Sequence, residues 1–246
     1  MTAPAELLKT WICRQAGSEA EWVEGQLDAL AETDSERDLH IYLGFAPRRL
    51  GKADLDLTSE DLAQAGWARP GWDPAGWSID GAARVLGLLT FKGPRPFAEV
   101  FKDLRRTADA AEMVALYRGL PLYPDPASLE FEVGEALRSN LKPVFEAVAH
   151  ANPYPRDHFD EHRWNHMVLK ALFIGSELTP ITGSEDRANP DLARILAETA
   201  QERWAAGRTI DPEIWRLIRP HAAHPEVGPI LARARAEGRD IPENVS

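Results

Sequence analysis

The apolar residues of this chain recur at the 3.6-residue spacing of an α-helix, and no useful length of it alternates as a strand would. Leu129, Val133, Leu137, Leu141, Val144 and Val148 mark one stripe, with residues 140–143 as a candidate break into two helices. Leu192, Ile195, Leu196 and Thr199, continued by Arg203 and Trp204, mark another. Start signals punctuate the pattern. Ser18 with Glu21, and Thr33 with Glu36, fit the capping box, in which hydroxyl and carboxylate satisfy opposite orphan amides. Asp125-Pro126, Asn189-Pro190 and Asp211-Pro212 each place a cap residue before a proline at the first helical position. The expected fold is all-α, with about ten to thirteen helices.

The tail repeats itself. AAGRTIDPE (205–213) and AEGRDIPEN (236–244) share a helix end, a glycine, an arginine and an acidic, proline-containing restart. Their glycines, Gly207 and Gly238, lie 31 residues apart, near the period of helix-pair repeats. In such arrays each pair leaves one apolar face for the next to cover. The expectation is therefore a single domain over residues 1–246, built of helix pairs stacked as an α-α superhelix of the HEAT type. A compact α-bundle is the alternative.

Composition narrows the class. With 44% apolar and 27% charged residues in 246, the chain can bury a core. A net charge of −11 and scattered basic residues argue against nucleic acid, whose phosphates need a dense basic surface. Cys13 is the only cysteine, so the chain forms no internal disulfide and no zinc site of the CxxC type. The segment MTAPAELLKTWICRQAG has no basic region followed by an apolar run, and MVLKALFIG is too short to span a bilayer. A cytoplasmic protein is expected.

One stretch reads as non-helical. GWARPGWDPAGWSIDG (66–81) spaces Trp67, Trp72 and Trp77 five apart, so no helical face collects all three. It fits an ordered loop pinned by burying large rings, and less well an aromatic lid over a ligand.

Chemical motifs are scarce. There is no GxGxxG, no phosphate-binding GxxxxGK[ST] and no GxSxG elbow. No cofactor is indicated. The segment HFDEHRWNHMVLKALF (158–173) spaces His158, His162 and His166 four apart, which stacks them on one helix face. That geometry permits a metal but does not require one. Arg163 follows His162 where a zinc-protease helix has glutamate, and no other motif completes the ligand set. On the wheel Trp164, Met167, Val168 and Ala171 lie opposite the histidines, which favours solvated or capping histidines. Leu169 and Phe173 continue the histidine face, so this helix is expected to end apolar all round and to sit centrally. Arg138, Asn140, Asn165, Lys170 and Arg187 are the candidate ligand contacts, each weighed against a structural cap or ion pair.

The strings ALYRGLPLYPDP, EALRSNLKPVFEAVAHANPYP, FDEHRWNHMVLKALFIG, EDRANPDLARILAETAQERWAAGR and DPEIWRLI resemble the bacterial EboA-domain family over residues 115–220. The family pattern keeps Trp164, Asn165 and Lys170 and carries no requirement at the histidines. The resemblance implies a place in gene clusters that make and export specialised metabolites. A helical adaptor or carrier is then expected, binding a small pathway intermediate or a partner protein of the same cluster. The alternative is an enzyme acting on a small phosphorylated or prenylated intermediate in a pocket that includes Lys170, Arg138 and Asn165.

Overall fold

The computed structural model of the chain describes residues 3–238, and among these β structure is limited to isolated bridges such as Asp54–Ser78. The chain falls into two compact units that divide between His158 and Phe159. The first holds α1 (Pro4–Ala16), α2 (Ala20–Glu32), α3 (Glu36–Leu50), α4 (Ser59–Ala68) and α5 (Ile79–Thr90). It continues with α6 (Phe97–Thr107), α7 (Ala110–Arg118), α8 (Glu130–Arg138), α9 (Lys142–Ala149) and α10 (Tyr154–His158). The second holds α11 (Glu161–Ile174), α12 (Pro190–Ala205), α13 (Ile214–Ile218) and α14 (Gly228–Ala236). The count exceeds the expected range because α10 and α13 are single turns of five residues each.

Some start signals work and others fail, for local reasons. Asn189 caps α12, accepting from the Leu192 amide at 2.9 Å with Pro190 just inside the helix. The break expected at 140–143 does occur, at residues 139–141, with Pro143 inside the first turn of α9. Ser18 instead falls within a 3₁₀ turn, Gly17–Glu19, and α2 starts without a side-chain cap. The Thr33 hydroxyl turns to Asp38 and to the Ser35 amide, so α3 starts after Ser35. Asp125 adopts a left-handed φ of 46° and its side chain makes no cap hydrogen bond to the 3₁₀ turn that follows. Complete capping boxes occur elsewhere, at Thr58 with Asp61 and at Asp109 with Glu112.

In the first unit α5 is the central helix, packed against α1, α2, α3 and α7. Every residue from Ile79 to Leu88 is buried, because its glycines and alanines let neighbours approach on all sides. Gly87 lies directly under the Tyr42 ring, whose hydroxyl donates to the Ala83 carbonyl at 3.0 Å. The burial brings charge with it. Arg84 donates to Asp80 at 3.0 Å, to Glu112 at 3.1 Å and to the Leu43 carbonyl at 3.2 Å. A buried cation so fully paired is a structural knot.

The tryptophan-rich stretch is shorter than expected as a loop. Gly66–Ala68 end α4 and Ile79–Gly81 start α5, with Ser78 as cap. Within the loop Trp72 is buried, 5.8 Å from Trp11 and 6.0 Å from Trp77 between ring centroids. Trp67, on α4, is 65% exposed.

In the second unit α12 packs on α13 and α14, and Trp204 stacks on Trp215 at 5.6 Å. Trp164, Met167, Val168 and Ala171 form the buried side of α11, as its wheel requires. The expectation that this helix ends apolar all round in the core is corrected. Phe173 is 68% exposed and Ile174 is exposed too, because the helix stops at Gly175, with a φ of 66°. Gly207 and Gly238 both take left-handed φ values after α12 and α14, the helix-end chemistry their shared motif implies. The restart at Asp240 and Pro242 lies outside the described residues. No helix among the described residues is long and apolar enough to cross a membrane.

Candidate functional site

The residues that the sequence singles out on α11 build a clamp inside the second unit. The Asn189 amide donates to the Asn165 side-chain oxygen at 2.8 Å and to the Arg187 carbonyl at 3.2 Å. Asn165 returns a hydrogen bond to Asn189 Oδ1 at 3.3 Å. Arg187 lies over the Trp164 ring at 4.7 Å and donates to the Phe159 carbonyl at 2.8 Å. These contacts tie the start of α12 to α11, and both asparagines are buried. Asn165 and Arg187 are thus brought together at the start of α12. Lys170, further along α11, is half-buried, and burial pushes its ammonium pKa down.

Arg138 and Asn140 belong to the first unit and are exposed. Arg138 pairs with Glu135 on its own helix and holds that carboxyl below the usual carboxylate range. The three histidines are exposed as well. His158 closes α10 with its ring 4.6 Å from Tyr154, while Asp160 caps α11 through the Arg163 amide. The His162 and His166 rings lie 4.2 Å apart on α11, tilted by 45°. Among the described residues no three His, Cys, Asp or Glu side chains gather as a metal-ligand set.

Two cavities of the first unit involve residues that the sequence did not single out as ligand contacts. The larger, about 470 Å³, is a groove between the end of α5, the start of α6 and the Leu122–Pro124 turn. Leu88, Leu89, Phe91, Phe97, Val100 and Leu122 line it, and Lys92 and Arg95 stand exposed at its edge. Arg95 is held by Glu36, Glu99 and Asp103, whereas Lys92 makes no ion pair among the described residues. The lining includes no carboxylate, histidine, serine or cysteine.

The second cavity, about 230 Å³, is polar. Its walls come from the tryptophan loop (Asp73, Ala75, Trp77), from α7 (Val114, Arg118) and from α9 with the turn after it. Asn152, the first residue of NPYP, donates to the Tyr117 and Ala147 carbonyls, each at 3.0 Å, and accepts from the Tyr154 amide. That triple commitment fixes the turn and holds Ala151 at a φ of 49°. Arg118 and Asn152 stand in the strings that carry the family resemblance. No helical period or spacing marks them, because their meeting depends on where the loop folds back.

Compared with known proteins, residues 4–219 match the family model described as metabolite traffic protein EboA, so the match extends through the N-terminal helices. No curated protein and no solved structure matches the chain.

Proposed function

We propose, from the premise that this chain belongs to the EboA family, that it is a non-catalytic carrier of a small, largely apolar metabolite. The observation that carries the reading is the 470 Å³ groove. Its size lies in the ordinary range of small-molecule sites, and its walls are apolar with Lys92, in no ion pair among the described residues, at the edge. Apolar walls supply affinity by removing ligand surface from water. With Arg95 held by carboxylates, the Lys92 ammonium supplies orientation and suits a ligand with one anionic group. Chemistry needs more than this. A groove without a carboxylate, histidine, serine or cysteine lacks the usual proton-transfer partners. The enzymatic alternative invoked Lys170, Arg138 and Asn165, but Asn165 is committed to Asn189 and Arg138 pairs with Glu135 on the surface. The carrier would serve in the cytoplasm, passing its cargo among proteins of the same metabolite cluster.

The test uses 1-anilinonaphthalene-8-sulfonate, an apolar ring system with one anionic group. The folded chain should enhance its fluorescence saturably at one equivalent. Leu89→Trp, which fills the groove from a half-buried position, should abolish the enhancement while the thermal transition is kept. Lys92→Glu should weaken it. Equal binding by the Leu89→Trp protein would place the dye elsewhere and remove the support for this reading.

A further inference from the structure

Arg118 stands apart from the other arginines folded into the first unit. Of those that are buried or half-buried, Arg69 pairs with Asp157 at 2.6 Å, Arg84 with Asp80 at 3.0 Å, Arg156 with Asp157 at 2.7 Å, and Arg105 with Glu132. Among the described residues no carboxylate lies within ion-pairing distance of Arg118. Its Nη1 donates to the Gly76 carbonyl at 2.7 Å, and Asp54 acts on it only from further away. Burial lowers its pKa from the ordinary arginine value, a sign of a cation short of compensation. A charge partly removed from water and facing no carboxylate gains from an anionic partner, and arginine in particular offers a planar fork of donors matched to two oxygens.

The cleft around it leaves the donors of that fork not used by Gly76 available. Asn152 is committed to backbone groups and does not compete for it. The two acidic groups in the lining have partners of their own. Glu146 is 3.5 Å from Lys142 one helical turn back, and Asp73 accepts from the Ala75 amide at 2.9 Å. Trp77 and Val114 give an apolar wall. Ala151, held at a left-handed φ, shows a rim preset by its surroundings.

We infer that this cleft binds the oxyanion end of a small metabolite, a carboxylate or a phosphate monoester, through the Arg118 fork, with the body of the molecule against Trp77 and Val114. It is a site separate from the apolar groove, and it stands whether or not that groove carries cargo.

Isothermal titration of the full chain with benzoate, phenyl phosphate and the neutral benzamide tests it. Benzoate, phenyl phosphate or both should bind saturably, and which of them binds identifies the oxyanion; benzamide should not bind. Arg118→Gln should weaken binding about tenfold or more, the loss expected for a hydrogen bond to a charged group. Because Arg118 also holds the loop through Gly76, a second pair of variants sits at exposed Ala75 on the cleft wall. Ala75→Glu should weaken binding and Ala75→Lys should strengthen it, with unchanged thermal transitions. The inference is overturned if neither oxyanion gives saturable heat at millimolar concentrations. It is equally overturned if benzamide binds as well as benzoate, or if the two Ala75 variants leave affinity unmoved or shift it the other way.

Discussion

Asp61 shows how one side chain can hold several elements. Its carboxylate accepts from Arg14 on α1 at 2.8 Å and from the Thr58 amide and hydroxyl, also at 2.8 Å, at the start of α4. The Arg14 hydrogen bond, foremost, holds the carboxyl far below the usual carboxylate range. A folded-state pKa below the unfolded one stabilises the protein at pH values above the unfolded pKa, near 4, and that contribution fades as pH falls. Asp61→Asn should therefore cost about 1–3 kcal/mol at pH 7, the range for losing a partner of a largely buried polar group. The gap to the wild type should narrow in urea unfolding as pH drops below about 4. A gap that stays constant with pH would show that the charge is not the source. Asn165 and Asn189 make the complementary point: buried amides satisfied by each other are positioning devices, whatever their place in a family motif.

At the scale of elements, α5 is the most constrained helix, and Gly87 is where the constraint is sharpest. A Cβ there would lie 2.3 Å from the Tyr42 ring, which its own hydrogen bond to Ala83 keeps from moving. Gly87→Ala should lose about 1–3 kcal/mol, the usual cost of overpacking, although helix propensity alone favours alanine. Gly25 on α2 is the control, since a Cβ there meets nothing within 4 Å. Gly25→Ala should gain up to about 1 kcal/mol in the same thermal-melt comparison. If both changes stabilise, the contact between α3 and α5 is looser than the distances say. The tryptophan loop belongs at this scale too. It fixes itself by burying Trp72 between Trp11 and Trp77, and so becomes a wall of the polar cleft.

At the scale of the whole molecule, the first unit carries its own buried aromatic core, with Trp11, Tyr42, Trp72, Phe101, Tyr117 and Tyr154 among its largest enclosed side chains. Both cavities described above lie within it. Residues 1–158 expressed alone should therefore give a helix-dominated circular dichroism spectrum and a single cooperative thermal transition. A featureless melt would mean that residues 159–246 are needed to complete that core.

The helical class, the break between α8 and α9, the Asn189 cap and the buried side of α11 were all legible in the sequence. Each depends on residues within about one or two helical turns, where spacing fixes direction. The family was legible as well, through a contiguous string around NPYP. The failures were local competitions decided elsewhere: Thr33 was diverted to Asp38, and the last turn of α11 was left facing outward. The cavities were beyond reach for a more general reason. The polar cleft joins Trp77, Arg118 and Asn152, and the groove joins Leu88, Phe97 and Leu122, positions brought together by tertiary packing across tens of residues. Whether an arginine finds a carboxylate is decided by that same packing. Periodicity assigns a side chain to a face, and only the fold decides what that face meets.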